Sequence, residues 1–458
     1  MTATITNDFK RFILRKVFDD FSNSTNRYFI GIGKGEPWND AEEAPIPTGS
    51  LKEMRDAKAT LQSVKSAADV SFVVDRNNWS SGTIYDAWDD SLVGSGSNPF
   101  YVVTEELNVY VCIRGATNAD GTRILSTQKP THIDHLKPVT YSDGYKWKYL
   151  YTILPANSTA FLSSNFLPVR KSGGSESGLG AQQDAVQAAS VRGQILGVNL
   201  TEAGAGYSSV PTVTIEGDGT GATATAFVTS GAITHIFIDS DADSGIASGR
   251  GYNFAGVKIT GGSPSTAARA SAVIGDIYGE GIGADPRNDL KSTALMFNTK
   301  PNGIESGTFF TGGQDFRQVT LISDPIDSDG NLETGTAVHA SKYLVATSTS
   351  EAQGFALDAT ITGGTSGAKA LVVSADSDYI FITQNDSTGF ASFAAEAISG
   401  TASGGGTNNA TLVDGIIHYR DVFTPGDSDK GHVLYIDNRA AVIRDNAQTE
   451  DLKVVISI

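Results

Sequence analysis

The stretch Gly204-Ala-Gly-Tyr-Ser-Ser-Val-Pro-Thr-Val-Thr-Ile215 is followed about forty-five residues later by Gly249-Arg-Gly-Tyr-Asn-Phe-Ala-Gly-Val-Lys-Ile-Thr260. In both copies Gly-x-Gly-Tyr leads into a β-type run, a glycine turn and an alanine-rich run. A looser third copy occupies Leu357–Val373. Because two copies and a partial third are too few for a solenoid, the pattern predicts small β modules inserted into a host domain.

The chain as a whole also favours β structure. Its 50 glycines punctuate short runs rich in Val, Ile, Thr and Tyr, as in hairpin-rich proteins. Two helices are predicted: Asp8–Phe21, from its apolar spacing, and a second one that begins at Ser50 with a capping box to Glu53 and continues through Val64. We therefore predict a mainly β (α+β) fold with β-sandwich-like domains, a few peripheral helices and inserted Gly-rich β-hairpin modules.

A length of 458 residues indicates about three domains. Changes of composition, above all the polar tract that begins at Lys171, place the boundaries. The predicted organisation is a core domain at 1–170, a linker at 171–190, the first inserted module at 191–275, a return to the core at 276–350, a second inserted module at 351–415, and C-terminal strands at 416–458 that complete the core.

Charge and composition restrict the partners. With 34 basic and 51 acidic residues the net charge is -17, which disfavours nucleic-acid binding. Apolar runs are too short to span a membrane, and the first twenty residues lack the apolar core of a signal peptide. A single cysteine, Cys112, allows neither an intramolecular disulfide nor a Cys-based zinc site. We expect a soluble protein made in a cytoplasm that binds neither nucleic acid nor membrane.

Four motifs are candidate sites of chemistry. Gly31–Gly35 follows a strand, but Glu36-Pro37 stands where a phosphate-binding helix would begin, so a tight turn is favoured over nucleotide binding. The alternating Asp239, Asp241 and Asp243 begin like a calcium loop, yet the twelfth position is Arg250, so they form only a weak metal candidate.

The other two motifs are weaker still. His132 and His135 have no third ligand nearby in the sequence, and Cys112 lies in an apolar strand, as packed cysteines do. Paired carboxylates for glycan hydrolysis stay open, since sequence spacing does not give spatial separation. The prediction is a protein without enzymatic activity, catalytic residues or cofactor.

Aromatic residues suggest contact surfaces. Tyr145, Trp147, Tyr149 and Tyr151 alternate along one strand face, which is typical of packing between layers or of an interface anchor. The aromatic residues that lie in loop-like sequence are candidate interface anchors. The equally weighted alternative is that their rings cap hydrophobic cores. These candidates are Trp38, Trp79, Tyr85 and Trp88.

Four sequence blocks occur in order along the chain. Their residues are Gly33, Lys34, Glu36, Pro37 and Trp38; Asp143, Gly144, Tyr145, Trp147, Tyr149 and Leu150; Phe316, Arg317, Gln318 and Pro325; and Tyr435, Asp437, Asn438 and Arg439 followed by Gln448, Thr449, Glu450 and Leu452. Taken in this order, the blocks resemble the baseplate wedge subunit encoded by tail gene 8 in contractile-tailed, T-even-like bacteriophages. The resemblance covers about 1–170, 276–327 and 416–458, whereas 191–275 and 351–415 depart from it.

The resemblance implies a non-enzymatic, β-rich virion protein whose N- and C-terminal segments can complete one domain. Members of the family form dimers, occupy each of the wedges around the tail hub, and bind other wedge proteins and the base of a peripheral tail fibre. The expected location is the tail baseplate, after assembly in the host cytoplasm. Two alternatives remain: a tail-associated glycan-binding or glycan-cleaving protein, and a calcium-dependent adhesive module built on Asp239–Gly245.

Overall fold

The fold is mainly β with several antiparallel sheets and few helices, which confirms the predicted class. The computed structural model describes residues 5–23, 28–35, 37–38, 43–67, 69–88, 98–116, 122–171, 179–238, 247–275, 281–299, 315–326, 331–332, 337–338, 342–384, 387–419, 431–443 and 451–458.

The helices in the described part of the chain are α1 (Asn7–Asn23), α2 (Leu51–Ala59), α3 (Pro155–Phe161), α4 (Leu179–Ala189), α5 (Pro286–Asp289) and α6 (Thr349–Ala352). The strands are β1 (Tyr28–Gly33), β2 (Leu61–Ser66), β3 (Asp69–Asp75), β4 (Tyr101–Val103), β5 (Asn108–Arg114), β6 (Val139–Thr140), β7 (Lys146–Thr152), β8 (Phe166–Val169), β9 (Ile195–Glu202), β10 (Thr212–Gly217), β11 (Thr220–Thr229), β12 (Ala232–Ile238), β13 (Ser248–Arg250), β14 (Ala255–Thr260), β15 (Arg269–Ile274), β16 (Ala294–Thr299), β17 (Phe316–Ser323), β18 (Ala337–Val338), β19 (Lys342–Val345), β20 (Thr360–Gly363), β21 (Lys369–Asp376), β22 (Tyr379–Thr383), β23 (Ala397–Thr401), β24 (Thr407–Thr411), β25 (His418–Tyr419), β26 (His432–Val442) and β27 (Leu452–Ser457).

The chain divides into two compact units, each assembled from distant segments. Unit 1 comprises Met1–Leu14, Ser71–Met296 and Ile456–Ile458, and unit 2 comprises Arg15–Val70 and Phe297–Val455. The predicted core segment 1–170 therefore contributes residues to both units. Its first strands, β1 and β2, join unit 2 because β1 pairs with β17, almost three hundred residues further along the chain, and β2 pairs with β1 and β18.

In unit 2 one sheet has the strand order β18-β2-β1-β17-β26. Every residue of β1 is buried, and Phe29, Val64 and Ile322 lie in a core that α2 covers through Ala57 and Met54. Contrary to the prediction, α2 ends at Ala59, and Val64 belongs to β2. Pairing of β2 with β1 overrides the helical spacing, because a strand there buries these side chains and satisfies the backbone of β1.

The predicted capping box at the start of α2 forms in part. The Ser50 hydroxyl accepts the Glu53 backbone N–H at 3.2 Å, as expected. The Glu53 carboxylate instead accepts the backbone N–H groups of Thr48 and Gly49, at 2.8 and 2.9 Å. These bonds lower the pKa of Glu53 against the opposing effect of its partial burial.

Unit 1 contains the repeat sheet, ordered β12-β11-β10-β14-β15-β9, with β13 paired to β11. All of its strands lie within the segment 191–275. The tyrosine of each Gly-x-Gly-Tyr copy forms a hydrogen bond with the other copy. The hydroxyl of Tyr207 accepts the backbone N–H of Ala268, in the second copy, and the hydroxyl of Tyr252 accepts that of Ala222, in the first, at 2.9 and 3.4 Å.

The glycines of the repeat explain why the pattern recurs. Gly204 and Gly249 have φ values of 68° and 65°, in the left-handed region that favours glycine. A Cβ at Gly249 would lie 2.6 Å from the Ala222 nitrogen, and a Cβ at Gly204 would lie 2.7 Å from the Ala268 nitrogen. Each copy thus packs its first glycine against the alanine-rich strand of the other copy.

Unit 2 contains a second sheet with the same arrangement. Its order, β24-β23-β20-β21-β22-β19-β25, includes two hairpins joined by an antiparallel β20–β23 pair, as β10 and β14 join the hairpins of the repeat sheet. The looser third copy, Leu357–Val373, supplies the β20–β21 hairpin. The sheet extends from β19 to β25 and so continues beyond the predicted module 351–415 at both ends.

The tract predicted as a linker, 171–190, contains a helix. Leu179, Gln183 and Val186 are buried along one face of α4, and the Gln183 amide donates to the Arg170 carbonyl oxygen at 3.1 Å. Leu179–Ala189 is therefore part of the packed structure of unit 1 and does not act as a loop.

Candidate interaction site

In unit 2, strand β17 lies between β1 and β26, so that three distant segments meet. The loop after β1 folds onto β26: the Trp38 Nε1 donates to the Arg439 carbonyl oxygen at 2.9 Å. The Lys34 ammonium lies 4.7 Å from the centroid of the Trp38 ring, a cation–π contact. Lys34 has a left-handed φ of 58°, which turns the chain as it leaves the strand.

Side chains from β17 and β26 complete this junction. The Arg317 guanidinium, 11% exposed, donates to the Gly35 carbonyl oxygen and lies 3.2 Å from the Asp315 carboxylate. The Gln318 amide donates to the Asn438 side-chain oxygen at 2.7 Å, and the Asn438 amide donates to the Pro45 carbonyl oxygen at 2.9 Å. We call this set of contacts the terminal junction, since it fastens the loop after β1, near the N-terminus, to β26, near the C-terminus.

The glycines of Gly31–Gly35 serve packing in this structure. A Cβ at Gly31 would lie 2.6 Å from a Leu61 methyl carbon, and one at Gly33 would lie 2.5 Å from the Thr60 carbonyl oxygen. Both glycines lie within β1 and allow β2 to approach closely. Glu36 lies outside the described residues.

Tyr145, Trp147 and Tyr149 of the aromatic strand face lie in one hydrophobic core of unit 1. Tyr145 and Trp147 are fully buried and pack with Tyr85, whose ring centroid is 5.2 Å from that of Trp147. The Asp143 carboxylate accepts the backbone N–H groups of Thr127 and Gln128, each at 2.9 Å. The block that begins at Asp143 thus closes a loop over an aromatic core.

The four candidate anchors separate into two pairs. Tyr85 and Trp88 are 1% and 6% exposed, and the Trp88 Nε1 donates to the Asp289 carbonyl oxygen at 3.0 Å. Within this chain their rings fill a core and present no surface to a partner, which corresponds to the alternative interpretation. Trp79 is partly buried against the aromatic core, and Trp38 is partly exposed at the terminal junction.

The metal candidate Asp239, Asp241 and Asp243 lies outside the described residues. Elsewhere in the described chain no group of three or more His, Cys, Asp or Glu side chains is placed to hold a metal ion. His132 packs on Tyr110 and Tyr141, and burial lowers its pKa. Cys112 is fully buried, and burial raises the pKa of its thiol well above the usual value, so it stays protonated and inert.

One buried ionisable pair in unit 1 had no sequence signal. Asp289 accepts the Gly283 backbone N–H at 2.7 Å, and burial raises the pKa of its carboxyl to about 8. Lys148 donates to the carbonyl oxygens of His135 and Leu136 at 3.2 and 3.0 Å, and burial lowers its pKa to about 8. Both shifts arise mainly because a low-dielectric interior disfavours charge.

No protein-family model matches this chain, and no curated protein matches it either. Within the described residues, none of the helices has the length and apolar character needed to cross a membrane.

Arg317→Met is expected to destabilise unit 2 by about 2 kcal/mol, because it removes a largely buried charged donor and leaves the Gly35 carbonyl without it. The matched control is Arg439→Met. Arg439 is 42% exposed and, among the residues that the structure describes, its guanidinium pairs with Asp437 alone, so its loss should cost less than about 1 kcal/mol. Urea unfolding of the full chain, followed by hydrogen exchange of peptides from β1, β17 and β26, measures both. Equal effects of the two substitutions would contradict a central role for Arg317.

Proposed function

We propose that this chain is a structural subunit of a phage tail baseplate wedge and that it works through protein–protein contacts without catalysis. It would link neighbouring wedge proteins and the base of a peripheral fibre as a homodimer, and would support rearrangement of the baseplate on host attachment. In this proposal it assembles in the host cytoplasm and functions in the virion.

One observation supports the proposal most. Three of the four sequence blocks that resemble the wedge family converge at the terminal junction, although Trp38 and Arg439 are 401 residues apart. The fourth block lies in the aromatic core of unit 1. The residues that carry the resemblance thus have structural roles: they hold β1, β17 and β26 together and close a core. Such roles suit a protein whose function is to hold partners in position.

Native mass spectrometry of the purified chain, alone and mixed with candidate wedge proteins from the same genome, tests the proposal. We expect a dimer that enters a defined hetero-oligomer. Trp38→Ala should weaken that assembly while the chain stays folded, since the indole is partly exposed at the junction. The matched control is Phe254→Ala, which removes an aromatic ring that is 66% exposed in the repeat sheet.

A chain that ignores every wedge protein would refute the proposal. The glycan alternative would then be tested by sugar release from host envelope preparations, with Asp-to-Ala and Glu-to-Ala variants as controls. Normal assembly of Trp38→Ala would place the contact elsewhere than the terminal junction, and loss of assembly in Trp38→Ala and Phe254→Ala alike would show that the effect is not specific to this junction.

A further inference from the structure

Unit 1 contains a cavity of about 900 Å³, open to solvent on one side, between the β5–β7 strand pair and strands β9 and β12 of the repeat sheet. All of its lining residues belong to unit 1. Its volume lies in the range of pockets that hold small molecules. The inserted repeat sheet therefore forms one wall of a chamber whose other wall is the aromatic-core sheet.

Two cationic residues lie side by side, on adjacent strands, in one wall of this cavity. Arg114 of β5 and Lys146 of β7 are directly opposite partners in the antiparallel register, an arrangement in which like charges destabilise a sheet. In the described part of the chain neither forms an ion pair with a carboxylate. Burial, reinforced by the charge of Arg114, lowers the pKa of Lys146. The pair is thus partly desolvated and, among the described residues, not neutralised.

The Arg114 guanidinium packs against an aromatic ring, and its hydrogen-bond donors are only weakly satisfied among the described residues. Its guanidinium carbon lies 3.9 Å from the centroid of the Phe237 ring, which fixes the plane of the group. One terminal nitrogen makes a long contact of 3.4 Å with the Gly144 carbonyl oxygen. Its Nε is buried and has no hydrogen-bond partner among the described residues. A buried donor in this state costs free energy unless a ligand satisfies it.

The remaining ionisable groups of the wall do not neutralise these cations. Asp86 is the one carboxylate among the described lining residues, and it is paired with Arg123, whose guanidinium also donates to the Tyr85 carbonyl oxygen. Burial, with a contribution from Arg114, lowers the pKa of His235, so its ring is neutral at pH 7. The described lining residues therefore carry a net positive charge, in a chain whose net charge is -17.

We propose that this cavity binds a small ligand through an oxyanion, a phosphate or carboxylate group carried on a molecule the size of a sugar, with Arg114 and Lys146 as the ligands of the anion. An oxyanion between the two cations would remove their mutual repulsion and satisfy the Arg114 donors, and a planar guanidinium fork matches both groups. Thr140 of β6, beside the cations, and Asn199 and Thr201 of β9, on the opposite wall, supply neutral polar groups for the rest of the molecule. This site is independent of the proposed wedge function.

Isothermal titration of the full chain at pH 7 and constant ionic strength tests the site. The probes are inorganic phosphate, a hexose phosphate, a uronic acid and, as the neutral control, the unmodified hexose. We expect saturable, submillimolar binding of at least one anionic probe and none of the neutral hexose. Tighter binding of the phosphate probes would identify the oxyanion as a phosphate group, and tighter binding of the uronic acid would identify it as a carboxylate. Either result supports the site.

Variants separate the site from general charge attraction. Arg114→Gln and Lys146→Met should each weaken binding about tenfold or more, because each removes a charge-assisted contact. Lys146→Met also removes the repulsion between this lysine and Arg114. The melting temperature of the ligand-free variant should therefore be no lower than that of the wild type. The matched control, Arg269→Gln, loses a 77% exposed cation outside the cavity and should bind normally. No saturable binding of any anion, or equal affinity in all variants, would overturn the proposal.

Discussion

Gly249→Ala is expected to destabilise the repeat sheet by about 3 kcal/mol or more. The new Cβ would lie 2.6 Å from the Ala222 nitrogen and 2.7 Å from the Thr220 carbonyl oxygen. Both are backbone atoms of β11, which cannot move without breaking its pairing with β13. The left-handed φ of 65° adds the usual cost of a side chain in that region.

The same chain offers a matched control two residues away. Gly251 has a φ of 76°, yet a Cβ there would meet nothing within 4 Å. Gly251→Ala therefore measures the backbone cost alone, about 1 kcal/mol. Gly204→Ala should behave like Gly249→Ala, because a Cβ at Gly204 would meet backbone atoms of the other copy at 2.7 Å.

Thermal melting and hydrogen exchange of peptides from β10 to β15 measure these effects. We expect faster exchange throughout both copies in Gly204→Ala and Gly249→Ala, since each copy packs on the other. If Gly249→Ala and Gly251→Ala lost the same stability, the close packing between the copies would not be the reason for the repeated glycines.

Asp289→Asn is expected to raise the stability of unit 1 above pH 8 and to leave it almost unchanged near pH 4. Burial raises the pKa of the Asp289 carboxyl from 3.8 to about 8, so the folded protein keeps a proton that the unfolded chain releases. The stability contributed by this proton is complete below pH 3.8 and is lost as the pH rises through 8. Each pH unit in this window contributes up to about 1.4 kcal/mol, so the total change is several kcal/mol.

At higher pH, Lys148 has the opposite effect: it makes the stability of unit 1 rise as the pH rises. Burial lowers its pKa from 10.5 to about 8, so its contribution is present above 10.5 and is lost as the pH falls through 8. The pair together predicts a stability minimum near pH 8 in the wild type. Asparagine at position 289 removes the decrease in stability between pH 4 and pH 8, because it carries no charge and its amide oxygen can still accept the Gly283 N–H.

Urea unfolding between pH 4 and pH 10 checks this prediction. The exposed Asp184 of α4 provides the control, since Asp184→Asn removes a carboxylate from the surface of the same unit. A wild-type profile that stays flat between pH 4 and pH 8, or one that Asp289→Asn leaves unchanged, would show that Asp289 is not buried in its neutral form.

Several elements follow from the sequence because their causes are local. The apolar spacing of Asp8–Phe21 predicts α1, and the two Gly-x-Gly-Tyr copies predict a module of paired hairpins. A signal for a fourth hairpin was present but missed. Phe393-Ala-Ala-Glu-Ala-Ile398 repeats, with one residue fewer, the pattern Phe355-Ala-Leu-Asp-Ala-Thr-Ile361, and both phenylalanines are buried in one core.

Other predictions failed where non-local pairing competes with local preference. The spacing of Leu61 and Val64 continues the period of α2, but β1 needs a neighbour for its backbone groups and recruits this segment as β2. The burial of Leu179, Gln183 and Val186 at helical spacing makes α4 a packed helix in a tract whose composition is that of a loop.

The sequence by itself determined that this protein is a mainly β chain with inserted glycine-rich modules, because strand period, turn residues and repeats act over a few residues. Only the tertiary structure decided which side chains meet. The Trp38–Arg439 contact joins residues 401 positions apart, and Arg114 faces Lys146 only through strand register. Neither the terminal junction nor the cavity has a local cause, since both arise where distant strands pair and bring their side chains together.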